Sequence, residues 1–207
     1  MANILLTGGR SPAALELART FHRAGHVVCM AESLCGHLSA PSRSIAHNFL
    51  VPPPRQQTAA FLDALNEIVS RQRIDMVIPV NEETFYVAMG HDHLPAFTVP
   101  IDTLRTLHNK WDFIFYAASL GLSVPDSILV QTRDDLLSAY ARWRRLVLKP
   151  AYSRFASRTL ILPTLNQAFS MLTFDPVSPW VAQEFVHGAQ ICTYSVVHRG
   201  HISAHAA

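Results

Sequence analysis

The stretch at 145–158, RLVLKPAYSRFASR, decides how the rest of this chain is read. Leu146, Val147 and Leu148 form a short apolar run with strand character, Pro150 ends it, and a loop of small and basic residues follows. Lys149 is therefore expected at the mouth of a buried strand, facing a loop that carries Ser153, Arg154, Ser157 and Arg158. A cation held there is costly unless an anion meets it. Of the 17 Lys and Arg residues, only Lys110 and Lys149 are lysines. One reading is that arginine serves wherever a surface cation is wanted, and that the two lysines mark places where a compact, strongly hydrated point charge fits and a guanidinium fork does not. Codon usage that spared two lysines by chance explains the count equally well.

Composition sets the outer bounds. A chain of 207 residues holds one large domain or two small ones, and 49% hydrophobic against 15% charged residues supports a packed core. The formal net charge of +2 comes from scattered arginines without interleaved aromatics, which argues against a nucleic-acid partner. No apolar run approaches membrane-spanning length, and the start, MANILLTGG, is too short for a secretory core. Cys29, Cys35 and Cys192 form no C-x-x-C pair and read as reduced thiols, the pattern of a cytoplasmic protein. Eleven histidines include a C-terminal cluster, His198, His201 and His205. If Arg199-Gly200 turns a hairpin, His201 and His205 share a strand face; a zinc site and a solvated face both remain open.

Along the chain, 3–7 (NILLT) reads as a strand, Gly8-Gly9 as a turn, Ser11-Pro12 as the start of a helix to about Ala24, and 27–31 as a second strand. TGGRSPA is not G-x-G-x-x-G, although Glu32 ends the second strand where a ribose-binding acid would stand; a tight packing turn is the competing account. A short strand follows at 49–51, a helix at 56–72, and a near-continuous apolar strand at 74–79 suited to a parallel sheet covered on both faces. Glu82 and Glu83 come directly after it, where open α/β sheets place ligands, and are candidates for substrate contact; a helix N-terminus that welcomes carboxylates explains them too. A further strand is expected at 97–99. Asn109 caps a helix at 110–120 expected to bury Phe113, Ile114, Ala117 and Leu120, and Thr132 caps another reaching Trp143. Then come the Lys149 strand, a return strand at 159–162, a short helix at 165–172 and a strand at 180–186.

Three segments in this order, NKW at 109–111, VLKP at 147–150 and QEFVHGAQ at 183–190, resemble the ATP-grasp superfamily. The N-terminal half resembles the Rossmann-like domain that precedes ATP-grasp in carbamoyl-phosphate-synthase-like carboxylate–amine ligases. The resemblance implies an α/β chain: a Rossmann-like parallel sheet over 1–108, the α+β first lobe of an ATP-grasp domain over 109–182, and an adenine hinge with the start of an incomplete second lobe over 183–207. It implies that Lys110 and Lys149 reach the phosphates of ATP, that the loop 151–158 with Ser153, Arg154, Ser157 and Arg158 covers them, and that Gln183, Glu184, Phe185 and Val186 read adenine through a strand edge. Gln190 stands where an acid often grips the ribose, and Gln183 where a carboxylate is common. The covering loop is often Gly-rich in the family, and here it has no glycine.

The implied chemistry is ATP-dependent ligation. A small carboxylate substrate attacks the γ-phosphate, and an amine or thiol displaces phosphate from the acyl-phosphate. Mg²⁺ would accompany ATP and wants oxygen ligands, yet after Glu184 the chain has no Asp, Glu or Asn. The metal ligands are therefore expected outside this chain. It stops at HISAHAA, in the middle of a strand, and reads as the front part of an ATP-grasp protein: either cut from a longer one, or a naturally short relative without catalysis. Either form exposes an unpaired sheet edge that invites a homodimer. Two other classes compete: a non-catalytic Rossmann-like nucleotide or NAD(P) binder, and an assembly module built on that edge. No tyrosine has a lysine four residues on, which counts against a short-chain reductase.

Overall fold

The computed structural model describes residues 1–154 and 156–207, in two compact units, Met1–Leu107 and His108–Ala207. The first unit contains strands β1 (Asn3–Thr7), β2 (Val27–Glu32), β3 (His47–Leu50) and β4 (Met76–Ile78), with helices α1 (Pro12–Arg23), α2 (Thr58–Gln72) and α3 (Glu83–Met89); helix α4 (Ile101–His108) runs to its end. The strands form a parallel sheet in the order β3-β2-β1-β4.

Strand periodicity explains why β1 and β2 read as nearly unbroken apolar runs. Ile4, Leu6, Val28 and Met30 pack on one face with Ala14 and Ala18 of α1. Leu5, Cys29, Ala31 and Val77 pack on the other with Phe61, Leu65 and Ile68 of α2 and Val87 of α3. Both faces are covered, so no polar alternation is tolerated. Ser11 caps α1 by accepting the Ala13 N–H at 3.1 Å, and Pro12 occupies its first turn. The strand expected at 97–99 does not form: only a single bridge, Val77↔Ala96, extends the sheet there. Pro100 gives the Leu104 N–H a carbonyl acceptor, and α4 follows where the sequence reading placed no element.

The second unit contains α5 (Lys110–Ser119), β5 (Ser127–Val130), α6 (Arg133–Arg142), β6 (Leu146–Pro150), β7 (Leu160–Ile161), α7 (Leu165–Met171), β8 (Trp180–Glu184), β9 (Tyr194–His198) and β10 (His201–Ala206). Four strands form an antiparallel sheet in the order β5-β8-β6-β7. One face, with Val130, Leu146, Leu148, Trp180 and Ala182, packs on Leu136 and Ala139 of α6 and Ala168 of α7. Capping boxes start both helices: Thr132 with Asp135, and Thr164 with Gln167.

Helix α5 departs from expectation. Asn109 caps it as foreseen, accepting the Trp111 N–H at 3.0 Å, but only Ala117 is buried, while Phe113 and Leu120 are exposed. The sheet's apolar face is already covered by α6 and α7, and α5 is instead tied by its N-terminus to the loop after β6. Strands β9 and β10 form a separate hairpin. Arg199 and Gly200 turn it with φ of 50° and 79°, the two-residue geometry that suits strand twist. The register shifts between Ile202 and Ala204, pairing His201 with His198 and His205 with Ser195. This bulge puts His201 and His205 on opposite faces, contrary to simple alternation. Among the described residues no group of three or more His, Cys, Asp or Glu is arranged to hold a metal ion, and no helix is long and apolar enough to cross a membrane.

The turn after β1 depends on Gly8, whose φ is +75°; a Cβ there would stand 2.3 Å from Glu83 Oε1 and 2.6 Å from Asn81 Nδ2. Gly25 has a similar φ, +83°, and open space around it. Gly25→Ala should cost only the left-handed backbone penalty, about 1 kcal/mol. Gly8→Ala should cost about 2 kcal/mol more, because a buried carboxylate must move as well. Urea unfolding of both variants measures the gap; equal losses would show that Gly8 and Glu83 are not in close packing.

Candidate phosphate-binding site

The antiparallel register divides β6 into two sides. Leu146, Leu148 and Pro150 are buried, and Val147 and Lys149 are part-exposed on the opposite face. Lys149 thus lies one residue before the strand's end, part-exposed on the face opposite the helices. It pairs with Val181, while Gln183, on the same face of β8, pairs with Val147. The diagonal offset lets Lys149 Nζ donate to Gln183 Oε1 at 2.8 Å.

Lys110 approaches from the first turn of α5. Its backbone N–H donates to the Ala151 carbonyl at 3.0 Å and its Nζ to the Ser153 carbonyl at 2.8 Å. Asn109, buried beside it, donates to the Tyr152 hydroxyl at 3.1 Å, and the His108 and Tyr152 rings lie 5.8 Å apart. These contacts bring the start of α5 and the loop after β6 together, and the two lysines with them. Burial lowers the pKa of Lys149, and repulsion from Lys110 lowers it further; burial also lowers that of Lys110. Among the described residues neither ammonium is ion-paired to a carboxylate. Each rests on a neutral oxygen. Two such cations can together meet an anion with several oxygens.

The other expected contacts divide. Ser153 gives its carbonyl to Lys110, and its hydroxyl lies 3.5 Å from the Pro150 carbonyl. Arg154 accepts the Ser157 N–H on its carbonyl at 3.3 Å. Arg158 stacks over the buried Trp180 ring, 5.2 Å from its centroid. Phe155, within the expected covering loop, lies outside the described residues. Gln183 is engaged by Lys149, and its Nε2 donates to Ser127 Oγ at 3.0 Å. Glu184 accepts the Asp126 N–H at 2.9 Å on its carboxylate and returns its own N–H to the Asp126 carbonyl; the Phe185 N–H goes to the Arg145 carbonyl at 3.1 Å. Val186, exposed, is the first residue past these sheet bonds. Around it Arg145 stacks on Phe185 at 4.7 Å and touches His187. Gln190 lies in the exposed connection to β9, with nothing described that links it to the lysines.

The first unit has its own polar cluster at the carboxyl ends of its strands. Glu32 and Glu83 are both buried, at 3% exposure, and Arg10 lies 3.6 Å from one and 3.5 Å from the other. Glu32 Oε2 also accepts the Arg10 N–H, and Oε1 accepts those of Ser33 and Leu34. Burial pushes the Glu83 carboxyl above the ordinary range, and its Oε1 makes no hydrogen bond. Arg10, Glu82, Glu83 and Tyr86 line a cleft of about 500 Å³. Arg10 escaped the sequence reading; its position between Gly9 and the Ser11 cap was the available signal. Ser127 escaped it too, although the alternation of SILV with Ser127 opposite Gln183 becomes visible once the strands are paired.

An anion that binds Lys149 restores the proton affinity that burial removes, so binding takes up protons and weakens as pH rises through the depressed pKa. Inorganic tripolyphosphate should therefore begin to lose affinity below the ordinary lysine value of 10.5. Lys149→Met should weaken it about tenfold or more at neutral pH and flatten that alkaline limb. Calorimetric titration across pH measures both; a flat wild-type profile would remove Lys149 from the anion site.

No protein-family model matches the sequence, and no curated protein matches it. Solved structures do. An L-amino acid ligase from Bacillus licheniformis superposes with a TM-score of 0.71 at 15% identity, over 90% of this chain and 47% of that one. An N5-carboxyaminoimidazole ribonucleotide synthetase from Thermus thermophilus gives 0.65 at 14% identity, over 89% and 47%. A biotin carboxylase from Campylobacter jejuni, solved as a complex with an ATP analogue, gives 0.65 at 11% identity, over 90% and 45%. The chain thus spans a little under half the length of these structures, and over that span it shares their fold.

Proposed function

We propose that this chain is the ATP-binding front part of an ATP-dependent carboxylate–amine or carboxylate–thiol ligase working through an acyl-phosphate. The observation that carries the proposal is the pair Lys110 and Lys149, two half-buried ammoniums held by neutral oxygens without a carboxylate partner. A polyphosphate is the anion with enough oxygens to meet both. Positioning and charge neutralisation are what the protein contributes to phosphoryl transfer, and these lysines supply them on the donor side. Arg154, Ser153 and Ser157 lie on the loop that would close over the phosphates, with Arg158 turning from Trp180 to join them. The segment 183–186 would read adenine from Val186 onward, since the Glu184 and Phe185 N–H groups are occupied. Gln190 would take the ribose. In the first unit, Glu82 and Glu83 would contact the small substrate.

Among the described residues no group of three or more His, Cys, Asp or Glu is placed to hold the Mg²⁺ that would accompany ATP. The free thiols of Cys29, Cys35 and Cys192 fit a cytoplasmic setting. A dinucleotide reading of the first turn is less well supported. The Arg10 N–H that would meet a pyrophosphate bonds Glu32, and both Glu32 oxygens are engaged by Arg10, Ser33 and Leu34, leaving the ribose without its acid.

Thermal-shift titration of the 207-residue chain separates these readings. ATP should raise the melting temperature, Lys149→Ala should abolish most of the shift, and NAD should leave it unchanged. Protection by NAD that depends on Glu32, with none by ATP, would overturn the proposal.

A further inference from the structure

We propose that Ser127 is a positioning residue for the phosphate site, acting through Gln183 to fix where the Lys149 ammonium stands. The inference rests in part on the ATP reading above, but its geometry is independent of it. Three residues on three neighbouring strands share one face of the antiparallel sheet. Ser127 of β5 stands directly opposite Gln183 of β8, and Lys149 of β6 lies diagonally beyond it. Their hydrogen bonds run in one direction. Lys149 Nζ donates to Gln183 Oε1 at 2.8 Å, Gln183 Nε2 donates to Ser127 Oγ at 3.0 Å, and Ser127 Oγ donates to the Pro125 carbonyl at 2.9 Å.

The last bond sets the order of the others. A serine hydroxyl has one hydrogen, and Pro125 takes it. Ser127 Oγ is then purely an acceptor toward Gln183, so the amide must turn its nitrogen to Ser127 and its oxygen to Lys149. Without the hydroxyl the ammonium alone orients the amide, Gln183 Nε2 loses its acceptor, and the side chain that carries Lys149 is held at one end only. Gln183 also holds the ammonium without neutralising it, as a carboxylate would. The charged groups around it leave that arrangement intact. Lys110 faces it from α5, Glu184 turns to the Asp126 N–H, Asp126 pairs with Arg142, and Arg158 lies on Trp180.

The chain has only two lysines, and they fall in different arginine-bounded peptides, so the pH profile of lysine acetylation can be read at each by mass spectrometry. In Ser127→Ala the acetylation midpoint of Lys149 should fall by about one pH unit, as a charge-assisted hydrogen bond is weakened. Tripolyphosphate affinity should drop about three- to tenfold with it. Ser127→Thr, which keeps the hydroxyl, should restore both, and Gln183→Glu should move the midpoint upward. A Ser127→Ala chain that melts earlier with the Lys149 midpoint unmoved would overturn the proposal, reducing Ser127 to a packing residue. Midpoints that shift as expected while neither tripolyphosphate nor ATP binds would uphold the relay and overturn the ATP reading. ATP binding with unmoved midpoints would do the reverse.

Discussion

The two-residue period of β6 is the constraint on which the second unit depends. It sends Leu146, Leu148 and Pro150 into the helices and leaves Lys149 on the other side. A slip of one residue in the pairing of β6 with β8 would bury the ammonium against Leu136 and Trp180 and expose two leucines. The penalty for an unpaired charge in that core is far larger than any local preference, so the register and the placement of the cation are one decision. The site is not added to a finished sheet; its position follows from the packing of the opposite face.

The same logic explains the contrast between the two polar clusters. In the second unit, among the described residues, Lys110 and Lys149 rest on neutral acceptors and neither is paired to a carboxylate. In the first, two buried carboxylates share one guanidinium and several backbone N–H groups, and the charge is mostly satisfied internally. Glu83 is the exception, with one oxygen unbonded beside the cleft. One cluster leaves its charge without a carboxylate partner among the described residues; the other leaves one carboxylate oxygen unbonded.

What the sequence disclosed follows from the range of each interaction. Caps are local, so Asn109 and Thr132 were legible from a few residues of context. The fully apolar strands of the parallel sheet were legible because burial on both faces leaves a compositional mark. The mark fails where partners are distant. Phe97 to Val99 looked like a strand, but only Ala96 bridges to Val77, and the run has no ladder to join. Phe113 and Leu120 have helical spacing, yet the sheet face they would cover belongs to α6 and α7. At the site, the two lysines stood out by their rarity, while the partner of Lys149 depended on strand register and that of Lys110 on the path of the loop after β6. Nothing in the sequence says that Gln183 lies diagonally across from Lys149, because that depends on strand pairing. Nor does it place Arg158 above Trp180, a position set by tertiary contact.

The double grip of Lys110 on the loop after β6 has a thermodynamic consequence. Its backbone N–H holds Ala151 and its ammonium holds Ser153, so the same ion that would meet an anion under the proposed function also tethers the start of the loop. An ammonium has three donors, and one bond to Ser153 leaves two for an arriving anion. Were an anion to bind there, loop order and occupancy would be coupled through a single charge, and reciprocally: whatever steadies the Ser153 carbonyl would prepare the ammonium, and the anion would steady the loop to the same extent.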